Sequence, residues 1–75
     1  MKHYITRAAI LPVIINLIID KYKVSEKEAL RAFYNSATGA SFADDDTGLY
    51  GQSPNFIFGL YELEMNEKME SINDI

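Results

Sequence analysis

The run Asp44-Asp45-Asp46-Thr47-Gly48 is the densest cluster of chemically capable side chains in this sequence. Asp46-Thr47-Gly48 spells the triplet of aspartic proteases, in which an aspartate follows an apolar strand and two copies share one proton. Here Asp44 and Asp45 precede the triplet instead of a strand, so a tight turn is the better reading. Three carboxylates in a row also suit a hard cation such as Mg²⁺ or Ca²⁺. The calcium-loop pattern fails, because Gly48 is not sixth from Asp44 and no glutamate closes the loop. A solvated acidic turn is expected, with one aspartate capping a backbone amide.

The other candidates are thinner. Ser53-Pro54 opens a helix whose amides could draw an anion. However, Pro54 removes one donor, and the nearest basic residues are far away in sequence. Lys21, Lys23, Lys27 and Arg31 could form a basic face for nucleic acid, which needs several phosphate contacts. The segments after Arg31 are neutral to acidic, unlike a recognition helix. The single histidine, His3, stands beside Tyr4 near the terminus, and there is no cysteine. No glycine-rich phosphate loop occurs. Catalysis would require a cleft assembled from separate segments of two copies, so no enzyme, cofactor or metal is expected.

Seventy-five residues make one domain with a small core, unaided by disulfides or thiolate metal sites. The net charge of −4 disfavours a dedicated nucleic-acid binder. Residues 1–35 carry six basic and three acidic residues, or +3; residues 36–75 carry one and eight, or −7. That split suits antiparallel self-pairing or a basic partner. The apolar run Ala8 to Ile19 is 12 residues long and interrupted by Pro12 and Asn16. A membrane span needs about 20. A small-residue cleavage site is missing after the run, and the expected location is the cytoplasm.

Helical spacing dominates. Ile10, Ile14, Leu17 and Ile18 form one stripe of a helix over about 6–22, and Leu11, Ile15, Ile19 and Tyr22 form a second beside it. Pro12 either kinks this helix or marks its start. Ser25-Glu26-Lys27-Glu28 is a capping box opening a second helix, 26–38, with Ala29, Leu30, Phe33, Tyr34 and Ala37 inward. Ser36 could cap a short helical turn with Phe42 inward; Gly39 could equally end the second helix. A short helical turn is placed near 40–45, then the Asp/Gly-rich connection with Leu49 and Tyr50 as an apolar plug. Ser53-Pro54 starts the last helix, 54–69, with Phe56, Ile57, Leu60, Tyr61 and Leu63 as its core face. Residues 71–75 are expected to fray.

The fold expected is therefore all-α, with three main helices in a bundle and one short helical turn. A first helix apolar over so much of its circumference needs cover on more than one side. A second copy is the simplest cover. The function expected is a non-enzymatic protein–protein interaction module, a homodimer or the binder of a partner gene product. Its partner-facing residues would be Leu11, Ile15, Ile19, Tyr22, Asp44, Asp45, Tyr50 and Phe58. The alternative is a small nucleic-acid-associated regulator using the basic 21–31 face.

Ala29-Leu30-x-x-Phe33-Tyr34-x-Ser36-x-Thr38, followed by Thr47-x-Leu49-Tyr50-x-x-Ser53-Pro54, resembles a family of very short, uncharacterised bacterial proteins across about residues 10–64. That resemblance implies a small helical protein. Some members lie in loci resembling toxin–antitoxin pairs, which implies a protein-binding or neutralising role. No catalytic residue carries over. Gly39 and Ala40 stand where that pattern leads one to expect larger residues, which argues against a continuous short helix there.

Overall fold

The computed structural model describes the backbone of residues 2–73 and the side chains of residues 5–68. Four α-helices account for most of it: α1 (Lys2–Tyr22), α2 (Glu26–Asn35), α3 (Ala37–Ala43) and α4 (Pro54–Asn73). Two single-turn 3-10 helices, Asp45–Thr47 and Leu49–Gly51, join α3 to α4. The all-α expectation holds, with four helices in place of three helices and a turn.

Pro12 is not the start of α1, which is helical on both sides of it. Pro12 and Ala8, whose carbonyl loses its partner, are both exposed, so water can serve that carbonyl. The helix ends with Lys23 in the left-handed region at φ 57°, its amide donating to the Ile19 carbonyl. Glycine normally takes that position.

The capping box forms as expected: the Glu28 amide donates to Ser25 Oγ at 3.1 Å, and the Ser25 amide to the Glu28 carboxylate at 2.9 Å. The second helix stops three residues short of its expected end. Ser36 swings to extended backbone (φ −86°, ψ 160°) and becomes both the last cap of α2 and the first cap of α3. Its hydroxyl donates to the Phe33 carbonyl and accepts the Gly39 amide at 2.9 Å.

Gly39 thus terminates nothing and lies inside a continuous α3, against the expectation raised by its size. A Cβ there would stand 1.8 Å from the Phe33 carbonyl oxygen. Glycine is what lets α3 fold back tightly on the end of α2. Beyond Asp44, whose carboxylate accepts the Asp46 amide, Gly48 takes φ 70° and reverses the chain.

Phe33 is the centre of the core. It meets Phe42 edge-on at 5.7 Å and Tyr61 at 6.0 Å. Ile14, Ile15 and Ile18 of α1, Ala29 of α2 and Ile57 of α4 complete the buried cluster. Leu49 and Tyr50 pack on its edge, as an apolar plug should. Ser53 caps α4 by accepting the Phe56 amide at 3.1 Å, as the Ser-Pro step indicates. That helix runs to Asn73, into the segment expected to fray; residues 74 and 75 lie outside those described. No described helix is long and apolar enough to cross a membrane.

Candidate interaction surface

The largest departure from the sequence reading concerns which face of α4 is buried. Ile57 and Tyr61 are inside, as expected. Phe56, Leu60 and Leu63, assigned to the same core face, are 51%, 38% and 58% exposed. Their i, i+4, i+7 spacing draws one continuous apolar strip along the outside of the helix. Tyr34 of α2, also expected inside, is 49% exposed.

Glu64 explains the rotation. It occupies the inward side of α4, where an apolar residue would be the simple expectation. Its carboxylate reaches across to α3 and accepts the Ala37 amide at 2.8 Å, the Thr38 amide at 2.9 Å and the Thr38 hydroxyl at 2.8 Å. These are first-turn donors of α3, which have no partner within the helix. Burial pushes the Glu64 carboxyl up, but the two amides, the hydroxyl and Lys68 together hold it below the ordinary carboxylate range. The face of α4 that meets α3 is therefore set by a charged cap, and the Phe56–Leu60–Leu63 strip turns outward beside it.

Leu60 and Leu63 also form one wall of a groove between α3 and α4, about 290 Å³ in volume. Ala37, Thr38 and Ser41 make the opposite wall, and Leu49 joins the lining. Gly59 lies on the same outer side of α4, half-buried, and among the described residues nothing beyond its own stretch of helix comes within 4 Å of where a Cβ would be.

The residues expected to face a partner are scattered. Ile15 is only 3% exposed and belongs to the chain's own core, so it is not accessible while the fold is intact. Leu11, Ile19, Tyr22, Tyr50 and Phe58 are half-buried and pack against that core. Both stripes of α1 are largely covered from within, by contacts to α2, to α4 and to the 3-10 turn at Leu49–Gly51. Leu11 and Ile15 share a shallow groove of about 170 Å³ with Pro12, Asn16 and Leu30, away from the α3–α4 groove.

Asp44 and Asp45 are exposed but do not converge. Asp44 holds its turn, while Asp45 pairs with Arg7, whose guanidinium also stands 5.9 Å from the centre of the Tyr50 ring. Arg7 thereby ties the acidic connection to α1. Among the described residues, no group of three or more His, Asp or Glu side chains is placed to hold a metal ion.

The basic 21–31 face is partly neutralised. Lys21 pairs with Glu62 at 3.0 Å, and this hydrogen-bonded carboxylate holds its ammonium above the ordinary lysine range. A second cavity, about 340 Å³, lies between the end of α1, α2 and α4, lined by Ile18, Tyr22, Val24, Tyr61 and Met65. Burial raises both phenols, so neither is a poised base. The charged groups at this cavity are already engaged, Glu28 in its capping box and Lys68 with Glu64 at 3.4 Å.

One signal for the outer strip was present in the sequence: Phe56, Leu60 and Leu63 do not share a narrow stripe with Ile57 and Tyr61. Comparison with family models, curated proteins and solved structures gives no match for this chain.

Proposed function

We propose that this chain is a non-enzymatic protein-interaction module, acting in the cytoplasm, that engages a protein partner through the outer apolar strip of α4 and the adjoining α3–α4 groove. The observation carrying this reading is the strip itself: three large apolar side chains, 38% to 58% exposed, contiguous on one helix. Single exposed apolar residues are ordinary on a protein surface; a contiguous row beside a groove marks an interaction surface. The strip lies beside the side of α4 that Glu64 fixes to α3, so the groove's two walls are tied to one another. A rigid wall of this kind loses little conformational freedom on binding.

The chemistry of the described residues points the same way. Several polar groups beside the grooves are engaged in holding the fold: Glu64 on the α3 amides, Asp44 on the Asp46 amide and Glu62 with Lys21. The resemblance to small helical proteins of toxin–antitoxin-like loci suggests a partner gene product as the protein bound. Replacing Leu60 and Leu63 by glutamate, with Val13→Glu on exposed α1 as the control, tests the reading. The tagged wild-type chain and the Val13→Glu variant are expected to retain a stoichiometric protein partner from the host that the double variant loses, at unchanged helical circular dichroism. Retention by the double variant refutes the surface. A salt-dependent shift of nucleic acid by the purified chain would favour the regulator reading instead.

A further inference from the structure

The strip on α4 is suited to one occupant in particular, and this inference deepens the interaction reading on which it rests. We propose that two copies of the chain associate antiparallel along α4, about a two-fold axis that passes beside Gly59 and Leu60.

Gly59 supplies the first reason. Glycine inside a helix is disfavoured relative to alanine, so its presence asks for a compensating contact. Gly39 has one, the Phe33 carbonyl; at Gly59 a Cβ meets nothing among the described residues outside its own stretch of helix. A missing side chain on the outer side of a helix lets a second backbone approach closely. Interaxial distances at helix contacts of 8–10 Å depend on the side chains at the crossing.

Register supplies the second. Gly59 and Leu60 fall midway between Phe56 and Leu63, and also between Gln52 and Glu67. An antiparallel pair centred there places Phe56 of one copy on Leu63 of the other, twice. Such a contact is self-complementary, as a closed two-fold interface requires.

Charge supplies the third. The sequence of α4 looks self-repelling, with Glu62, Glu64 and Glu67 in succession. Two of these three are neutralised within the chain, Glu62 by Lys21 at 3.0 Å and Glu64 by the α3 amides and Lys68, while a fourth, Glu70, lies outside the described side chains. Glu67 remains, at the edge of the strip. A parallel pair would set it beside its own copy. The antiparallel pair sets it against the N-terminal end of the partner's α4, where the helix dipole favours a carboxylate.

The size of the chain limits the contact it can make. A standard interface takes about 800 Å² per partner, about a tenth of a small protein's surface, and the whole surface here is 5180 Å². A tenth of it is about 500 Å² per copy, at the small end of specific interfaces, so a dimer in the range of about 10–100 μM is expected.

Sedimentation equilibrium across that range measures the association directly. The wild type should pass from one 8.5 kDa chain to two, and Leu63→Glu and the bulkier Gly59→Leu should stay monomeric with native circular dichroism. Gly59→Leu is checked for native helical circular dichroism, and among the described residues no atom outside its own stretch of helix lies within 4 Å of its Cβ. The absence of cysteine allows a geometric test. Gly59→Cys, near the axis, should form a disulfide-linked dimer readily, and Glu67→Cys should link to Gln52→Cys but not to itself. A wild type that is monomeric up to about 1 mM overturns self-pairing while the interaction reading stands, if partner capture still depends on Leu60 and Leu63. Efficient Glu67→Cys self-linkage overturns the antiparallel arrangement.

Discussion

Replacing Glu64 by alanine should be among the most damaging changes available at a partly exposed position of this protein. Its side chain is 16% exposed and carries three hydrogen bonds to α3, two from backbone amides. Hydrogen bonds to charged groups contribute about 1.5–3 kcal/mol each when buried, and a lost helix cap typically costs about 1 kcal/mol. Partial exposure lowers the first figure, and Ser36 still caps α3 through the Gly39 amide. A net loss of about 2–3 kcal/mol follows for Glu64→Ala. At about 4–8 °C per kcal/mol for a domain of this size, the melting temperature should fall by roughly 10–20 °C. Helix α3 has seven residues, too few to be stable alone, so its anchoring to α4 carries its stability.

The assay is urea and thermal unfolding followed by far-ultraviolet circular dichroism, on Glu64→Ala, Glu64→Gln, Thr38→Val and the double variant Glu64→Gln/Thr38→Val. The cycle should show coupling of about 0.5–2 kcal/mol between positions 38 and 64. Its pH dependence has a definite sign. The folded carboxyl lies below its ordinary value of 4.5, so the stabilisation is fully present above 4.5 and is lost as pH falls through the folded value. The gap between wild type and Glu64→Gln should therefore be flat from about pH 7 to 5 and close below that. Glu28 is also held low, by its bonds to Ser25, and cancels in this difference. A Glu64→Ala loss under about 1 kcal/mol, or a gap unchanged down to about pH 3, would refute the assignment of Glu64 as the clamp.

Two glycines separate cleanly: Gly39→Ala, whose Cβ would stand 1.8 Å from a carbonyl oxygen, should lose about 2–3 kcal/mol or fail to fold. Gly59→Ala should gain about 0.5–1 kcal/mol in thermal unfolding of the dilute monomer. Pro12→Ala should raise the melting temperature, because Pro12 is exposed within α1 and interrupts its hydrogen bonding; a fall would show that the ring supports the adjoining groove. Lys23→Gly should stabilise by about 1 kcal/mol in urea titration, since Lys23 holds the left-handed position at φ 57°. Lys21→Gln should be destabilising at neutral pH and indifferent in strong alkali. The Lys21 ammonium is held above 10.5, so its pairing with Glu62 is fully present below that value and lost as pH rises through the folded one.

Local signals with a backbone mechanism were legible. Ser25 and Glu28 form their box, Ser53-Pro54 opens α4, and Phe42 points inward, because each depends on neighbours only a turn away. What escaped the sequence depends on groups far apart. Ser36 ends one helix and begins another because Gly39 lets α3 approach the Phe33 carbonyl. The buried face of α4 was misassigned for the same kind of reason. Apolar periodicity favours Phe56, Leu60 and Leu63, whereas the true inner side includes Glu64, whose partners lie 26 and 27 residues away. A carboxylate on a core-facing side reads as solvent-facing until its donors are known.

This misassignment bears directly on function. Residues 33–57 hold many of the side chains that invite a chemical reading, and several of these have structural partners. Ser36 and Asp44 cap backbone amides, Asp45 holds Arg7, and the Thr47 hydroxyl closes on the Ser41 carbonyl at 2.6 Å. Thr38 and Glu64 hold α3 to α4. A polar group engaged in this way gains its stabilisation from staying where it is. The outer side of α4 is different, because Phe56, Leu60 and Leu63 keep much of their apolar surface in water. Residues whose exposure costs the monomer something, on a face fixed by Glu64, are where selection for a partner would leave its mark.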